Sequence, residues 1–184
     1  MDLVAQSRVP DPLAGDTIDA TSRTSGRGQN GMAGRSNWVA TAMSTTFQDF
    51  NRSLIDDLRS HGGSATSGPF LGRDLLILTT KGAKSGAVRE NPLVFSRDGE
   101  KYVIIASKGG APTNPSWFHN LVVHPEVTFE VHGEKINARA HLAEDSDYER
   151  LYQNHAKSMP AFNEYRQKTS RKIPVVILER LDSK

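Results

Sequence analysis

Two short stretches concentrate the side chains that could do chemistry. The first, Thr79-Thr80-Lys81-Gly82-Ala83-Lys84-Ser85-Gly86-Ala87-Val88-Arg89, places two glycines, a hydroxyl at Ser85 and three cations in one turn between two apolar runs. Backbone N–H groups together with Lys and Arg in such a turn form a cradle for phosphate or carboxylate. The same composition also describes a solvated basic hairpin, and on chemistry alone the two readings weigh equally. The second stretch runs Ser107-Lys108-Gly109-Gly110-Ala111-Pro112-Thr113-Asn114-Pro115-Ser116-Trp117-Phe118-His119-Asn120. Its glycines allow a backbone to approach a ligand closely. Ser107 and Lys108 supply donors, and Trp117 supplies an apolar wall for a planar, anionic ring system. For Trp117 taken alone, packing in the core is the stronger expectation. Between residues 81 and 120 there are six Lys or Arg and three Asp or Glu, a local net charge of +3. Positive charge therefore gathers beside both loops, although the whole chain carries only +2.

Several other chemistries fall away. The 184 residues contain no cysteine, which removes disulfides, thiolate nucleophiles, cysteine zinc sites and iron–sulfur clusters together. The histidines His61, His119, His124, His132, His141 and His155 form no HxH, HExxH or other helical ligand pair, so no metal site is expected. Ser107 and His119 could pair, but Ser107 lacks the GxSxG elbow of a hydrolase. Lys84-Ser85 resembles a Walker A fragment, yet Ala83 and Leu78 stand at its glycine positions and a strand follows it, which argues against an NTPase. Gly26-x-Gly28-x-x-Gly31 matches the dinucleotide fingerprint as a string. No apolar strand precedes it, so it reads as a decoy. A nucleic-acid module would need aromatic side chains exposed among the cations, and these loops are expected to expose one, Trp117.

The elements that must hold these loops follow from the apolar pattern. Residues 1–37 contain no Phe, Tyr or Trp, and residues 21–35 read TSRTSGRGQNGMAGR, so residues 1–36 are expected to be a disordered tail. One domain, residues 37–184, follows. Val39, Met43, Phe47, Phe50, Leu54 and Leu58 form a helical stripe, with Asn37 as its cap and Gly62-Gly63 as its end. Such a stripe serves core packing first and could also support weak membrane association, although Asp49, Asp56 and Asp57 give its polar face no basic excess. Strands are expected at 75–80, 91–95, 101–106, 127–131, 137–142 and 173–178, with a hairpin signal at Arg97-Asp98-Gly99-Glu100. Helices are expected around 115–121, over 144–157 and over 161–169, with Asn114 as cap and Pro115 as first helical residue of the first of these. Six short strands with few long crossovers point to a mainly β, α+β fold: an antiparallel barrel with flanking helices.

With these residues in view, a specific resemblance emerges. Leu75–Arg89, Asn91-Pro92-Leu93, Ala106–Pro115, Trp117, Asn120 and Ile173-Pro174-Val175-Val176 resemble the deazaflavin-dependent nitroreductase family, from about Phe50 to Leu178. The resemblance implies a split β-barrel that binds the 8-hydroxy-5-deazaflavin coenzyme F420 and passes its hydride to an organic acceptor such as a quinone or nitroaromatic. It assigns Lys84, Ser85, Gly86 and Arg89 to the cofactor's phosphate tail. Asn91, Pro92 and Leu93 match the strand start lining the cofactor. Ser107, Lys108, Gly109, Gly110 and Ala111 match the loop against the deazaflavin ring, and Asn114, Trp117 and Asn120 complete the groove. Ser107 and Tyr165 become the candidate catalytic hydroxyls. The chain departs from nitroimidazole-reducing members of the family in one respect. Where those carry a tyrosine cluster, this chain has Met159, Phe162 and Tyr165, which leaves one phenol.

Three other functions stand beside an F420-dependent oxidoreductase: a non-catalytic F420 carrier, a split barrel using FMN, and the basic nucleic-acid module already weighed. A long anionic tail would need Lys84 and Arg89 together, which separates F420 from FMN. Met1-Asp2-Leu3-Val4 lacks the basic-then-apolar order of a secretory signal, and no apolar run approaches the ~18 residues of a membrane span. The expected location is the cytoplasm, with peripheral membrane contact through the first helix as an option. The sequence specifies neither the natural acceptor nor the oligomeric state.

Overall fold

The computed structural model describes residues 35–181, with only the backbone given for the first turns of the leading helix, up to residue 47. The Gly26–Gly31 string and the expected tail lie outside the described residues, except Arg35 and Ser36, which open the first helix. That helix, α1 (Arg35–Ser60), thus starts two residues before Asn37, which does not cap it. It ends where the Gly63 N–H donates to the Leu58 carbonyl at 2.8 Å.

Seven strands follow rather than six: β1 (Leu75–Lys81), β2 (Val88–Val94), β3 (Ser96–Asp98), β4 (Lys101–Ile105), β5 (Glu126–Val131), β6 (Glu134–Leu142) and β7 (Val175–Arg180). The additional strand is β3, which occupies the first half of the expected hairpin signal and pairs with β4 from Ser96↔Val103 to Asp98↔Lys101. Three residues carry too little pattern to announce a strand; the partner makes it one. The helices α2 (Ser116–Val123), α3 (Asp145–Ser158) and α4 (Ala161–Gln167) complete the chain. At α2 the cap is Pro115 itself, in extended conformation, so the helix starts one residue later than expected.

All six ladders are antiparallel, in the order β2-β1-β5-β6-β7-β4-β3. β2 and β3 stand at opposite edges of this order, yet only Phe95 separates them in the chain. One residue spans only ~3.5 Å, so the sheet has to curl until its two edges meet. The seam carries no β2–β3 ladder, and the result is the split barrel.

Alternation along the strands divides the core in three. Leu76 and Leu78 of β1, Tyr102 and Ile104 of β4, and Val176 and Leu178 of β7 point inward, where they meet Phe129, Ile136, Trp117 and Phe118. Their neighbours Val103, Ile105, Val175 and Ile177 point outward against Leu151, Tyr152, Phe162 and Tyr165 of α3 and α4. Leu75 and Ile77 point outward against Leu54, Ile55 and Leu58 of α1. Strands β1, β4 and β7 are therefore covered on both faces, which is why they read as unbroken apolar runs. β5 and β6 are covered on one face and alternate. Because Leu54, Ile55 and Leu58 are buried against β1, that part of the stripe is committed to the fold and is not offered to a membrane. Among the described residues, no helix is long and apolar enough to cross one. The side chains of Val39, Met43 and Phe47 lie outside the described residues.

Candidate functional site

The first loop is the β1–β2 turn. The Gly86 N–H donates to the Gly82 carbonyl and the Gly82 N–H to the Ala87 carbonyl, both at 2.8 Å, and Gly86 sits at φ +67°, a left-handed conformation that favours glycine. The Ser85 hydroxyl turns inward and accepts from the Ala87 N–H at 3.3 Å. Lys84, Ser85 and Arg89 are exposed.

Register explains the charge left on this hairpin. Arg89 pairs with Thr80, Asn91 with Leu78 and Leu93 with Leu76, so these residues share the inward-facing side of the ribbon. Glu90 pairs with Thr79 on the other side, where Arg59 of α1 donates to it at 2.6 Å and also holds Glu130. The strand's one acid is thereby drawn away from Arg89. Lys81, Lys84 and Arg89 have no carboxylate partner among the described residues. By contrast Arg59, Lys101, Arg139, Arg150, Arg166, Lys172 and Arg180 are all paired. Pro92 lies on this edge strand, where its missing N–H costs no ladder bond. Asn91, Pro92 and Leu93 are half-buried.

The second loop leaves β4 at Ile105. Ser107 is 3% exposed and right-handed helical in conformation, and its hydroxyl does not cap the turn that follows. Lys108, Gly109 and Gly110 then take φ of 50°, 63° and 83° in succession. The loop closes on itself through the Gly110 N–H to the Ser107 carbonyl and the Ala111 N–H to the Lys108 carbonyl, each 3.1 Å. The Lys108 ammonium folds back to the Thr113 hydroxyl at 2.9 Å. A right-handed residue followed by a left-handed one turns successive N–H groups toward a single point, an anion-binding nest. Here those groups belong to Lys108 and Gly109, and neither has an acceptor among the described residues. Gly110 makes room for protein as well. A Cβ there would lie 2.7 Å from the Tyr165 carbonyl oxygen and 2.8 Å from Lys168 Cβ, so α4 rests directly on the loop.

Asn120 joins the two loops. Its Oδ1 accepts from the Ala83 N–H at 3.0 Å, and its Nδ2 donates to the Thr80 hydroxyl at 3.1 Å. With 9% exposure, its amide is engaged in holding the hairpin to α2. Trp117 is 6% exposed and belongs to the barrel core, ring to ring with Phe118 at 6.4 Å. Tyr165, also 6% exposed, stacks edge-on against Phe162, which in turn meets His155. Met159 is half-buried.

One residue that the sequence did not single out organises the second loop. From just before β7, Arg171 donates through Nε to the Ala111 carbonyl at 2.8 Å and through Nη1 to Asn114 Oδ1 at 2.6 Å. Its Nη2 donates to the carbonyls of Ala106 at 3.0 Å and Ser107 at 2.7 Å. Burial pulls its pKa below the ordinary guanidinium value, and among the described residues no carboxylate offsets that burial. In the sequence Arg171 is one of several cations after α4, and its acceptors are mostly main-chain oxygens, which leave no signature.

These groups suit a long, anionic ligand with a ring bearing oxygens: unpaired cations on one loop, free N–H donors on the other. Comparison with known proteins gives the same direction. The family model for F420H(2)-dependent quinone reductase matches residues 50–180. An F420H(2)-dependent quinone reductase of Mycobacterium tuberculosis is 41% identical over 108 residues, covering 57% of this chain and 72% of that protein. A solved F420-H2 dependent reductase, FDR-A, is 36% identical with a TM-score of 0.54, covering 57% of this chain and 93% of the other. A structure described as a domain-swapped dimer is 34% identical with a TM-score of 0.56, over 72% of this chain and 98% of the other. The protein whose loops have been described belongs to the F420H(2)-dependent quinone reductase family, a family of oxidoreductases with F420 as cofactor.

Proposed function

We propose that this protein reduces a quinone at the expense of reduced F420, with the two loops joined by Asn120 as the cofactor site. The observation that carries the reading is the trio Lys81, Lys84 and Arg89, left unpaired on a hairpin that Asn120 fastens beside the free N–H groups of Lys108 and Gly109. When bound, reduced F420 supplies the hydride; the remaining work belongs to the chain.

Lys84 and Arg89 hold the anionic tail by charge-assisted hydrogen bonds, with Ser85 and Gly86 shaping the turn. Asn91, Pro92 and Leu93 line the approach. Within Ser107–Ala111 the N–H groups of Lys108 and Gly109 are the donors offered to the ring, while Asn114 and Asn120 keep the loop and the hairpin in place and Trp117 backs them with an apolar wall. The hydroxyls of Ser107 and Tyr165 are the groups suited to orient the acceptor oxygen and deliver a proton to it, since Gly110 brings α4 directly against the loop. Burial of the second core cluster around Tyr165 limits water there, which favours a fixed orientation of the acceptor.

The acceptor is a flat, apolar quinone in preference to a nitroimidazole. Phe162 and Met159 carry no hydroxyl, and a donor to developing charge in a dry site is worth roughly 10²–10³ in rate. The test is fluorescence titration with oxidised F420 and FMN, followed by oxidation of reduced F420 with each acceptor class. F420 should bind far more tightly than FMN, and quinone turnover should exceed nitroimidazole turnover. Equal affinity for FMN would overturn the cofactor site; faster nitroimidazole turnover would overturn the acceptor assignment alone.

A further inference from the structure

We infer that Arg171 is a positioning residue for the cofactor: it sets the Ser107–Ala111 loop in the conformation that leaves the Lys108 and Gly109 N–H groups free to bind. The inference rests on the F420 reading above and adds a residue that touches the cofactor only through the loop.

The loop backbone is unusual in two ways. Lys108 holds φ at 50°, which an L side chain rarely adopts, and it starts a run of three left-handed residues. Such a run persists only where the surroundings hold it. Within Ser107–Ala111 the loop's own main-chain bonds are two, both 3.1 Å long. The guanidinium supplies four more, to Ala106 O, Ser107 O, Ala111 O and Asn114 Oδ1, all between 2.6 and 3.0 Å. These acceptors bracket the left-handed run on both sides. The Ser107 carbonyl that Arg171 holds shares its peptide unit with the Lys108 N–H, and the Lys108 carbonyl that accepts from the Ala111 N–H shares its unit with the Gly109 N–H; both N–H groups are left on the opposite edges without a partner among the described residues.

The fork of a guanidinium is what this task requires. Its donors lie in one rigid plane and reach separate acceptors at once, whereas an ammonium is a point donor on a flexible stem. Among the described residues no carboxylate holds Arg171, and its four side-chain hydrogen bonds are all to the loop and Asn114. Most other paired cations of the described chain meet exposed acids instead.

The test compares the wild-type protein with Arg171→Lys and Arg171→Ala. Without cofactor, amide exchange read by mass spectrometry should be at least tenfold faster over residues 106–114 in both variants, with residues 126–142 of the barrel unchanged as internal control. Oxidised F420 should bind at least tenfold more weakly to both, and guanidinium ion at tens of millimolar should restore part of the affinity of Arg171→Ala but not of Arg171→Lys, whose own ammonium occupies the site. Exchange that rises equally in the barrel would reveal a merely structural residue and overturn the inference. So would unchanged loop exchange, or F420 affinity that survives a loosened loop. If the wild-type protein itself binds no F420, the cofactor reading fails and Arg171's role toward it fails with it. Binding by wild type that persists in Arg171→Lys overturns the positioning role alone.

Discussion

Lys84 and Arg89 owe their availability to the two-residue period of a strand. Glu90, between Arg89 and Asn91, faces α1 and is taken by Arg59, so the acid nearest Arg89 in sequence is on the wrong side to neutralise it. Replacing Lys84 or Arg89 by Ala should weaken F420 binding by about 1.5–3 kcal/mol each, the range for hydrogen bonds to charged groups. The double variant should also lose most of the salt dependence of binding, because the screened attraction resides in these side chains. Titration at low and high salt measures both effects. Normal binding by the double variant would return the hairpin to the status of a solvated surface. Trp117 shows the converse at the same scale: an indole suited by type to a cofactor wall is spent mainly on the barrel core.

Between elements, one buried amide does the joining. Asn120 is the last polar residue of α2 to face inward, and it satisfies the Ala83 N–H and the Thr80 hydroxyl at once. Asn120→Ala leaves Ala83 N–H and the buried Thr80 hydroxyl without their partner, a loss of about 1–3 kcal/mol. The same change frees the β1–β2 turn from α2, so F420 affinity should fall with stability. Thermal denaturation and titration of the one variant check this. Stability lost with affinity intact would mean that the hairpin finds its place without α2. The α4–loop contact works by a different device, close backbone approach at Gly110, and needs no polar group at all.

For the whole molecule, acid sensitivity is set by a histidine remote from the loops. His155 on α3 is fully buried, with Nδ1 at 3.1 Å from the Ser96 hydroxyl and Nε2 without a hydrogen-bond partner among the described residues. Desolvation pulls its pKa down to about 4 from 6.5. Between those values the unfolded chain takes up a proton that the folded chain refuses, so stability falls as pH falls through this window. The difference between pH 7 and pH 5 should be about 2 kcal/mol, and His155→Gln should flatten it. Urea unfolding at both pH values is the measurement; an equal slope in the variant would assign the sensitivity elsewhere. Below this window the lowered carboxylates of Asp57, Asp98 and Glu130 take over, as each loses the donor that holds it charged.

The amino-acid pattern alone determined the strands that become β1, β2, β4, β5, β6 and β7, the helices, the absence of thiol chemistry and the two loops rich in glycine and charge. These features are legible because they are local: periodicity, turn residues and composition act within about ten residues. β3 and Arg171 were not legible. β3 is a strand because β4 lies beside it, and Phe95 alone then carries the chain from one sheet edge to the other. Arg171 owes its place to main-chain carbonyls 60 to 65 residues upstream. Main-chain oxygens are the same in every residue, so no choice of side chain at positions 106, 107 or 111 announces what will bind there. Tertiary structure also decided which charges stay free, because pairing depends on which face a residue takes and on what packs against it. Arg59 and Glu90 lie 31 residues apart and meet only when α1 docks on β2.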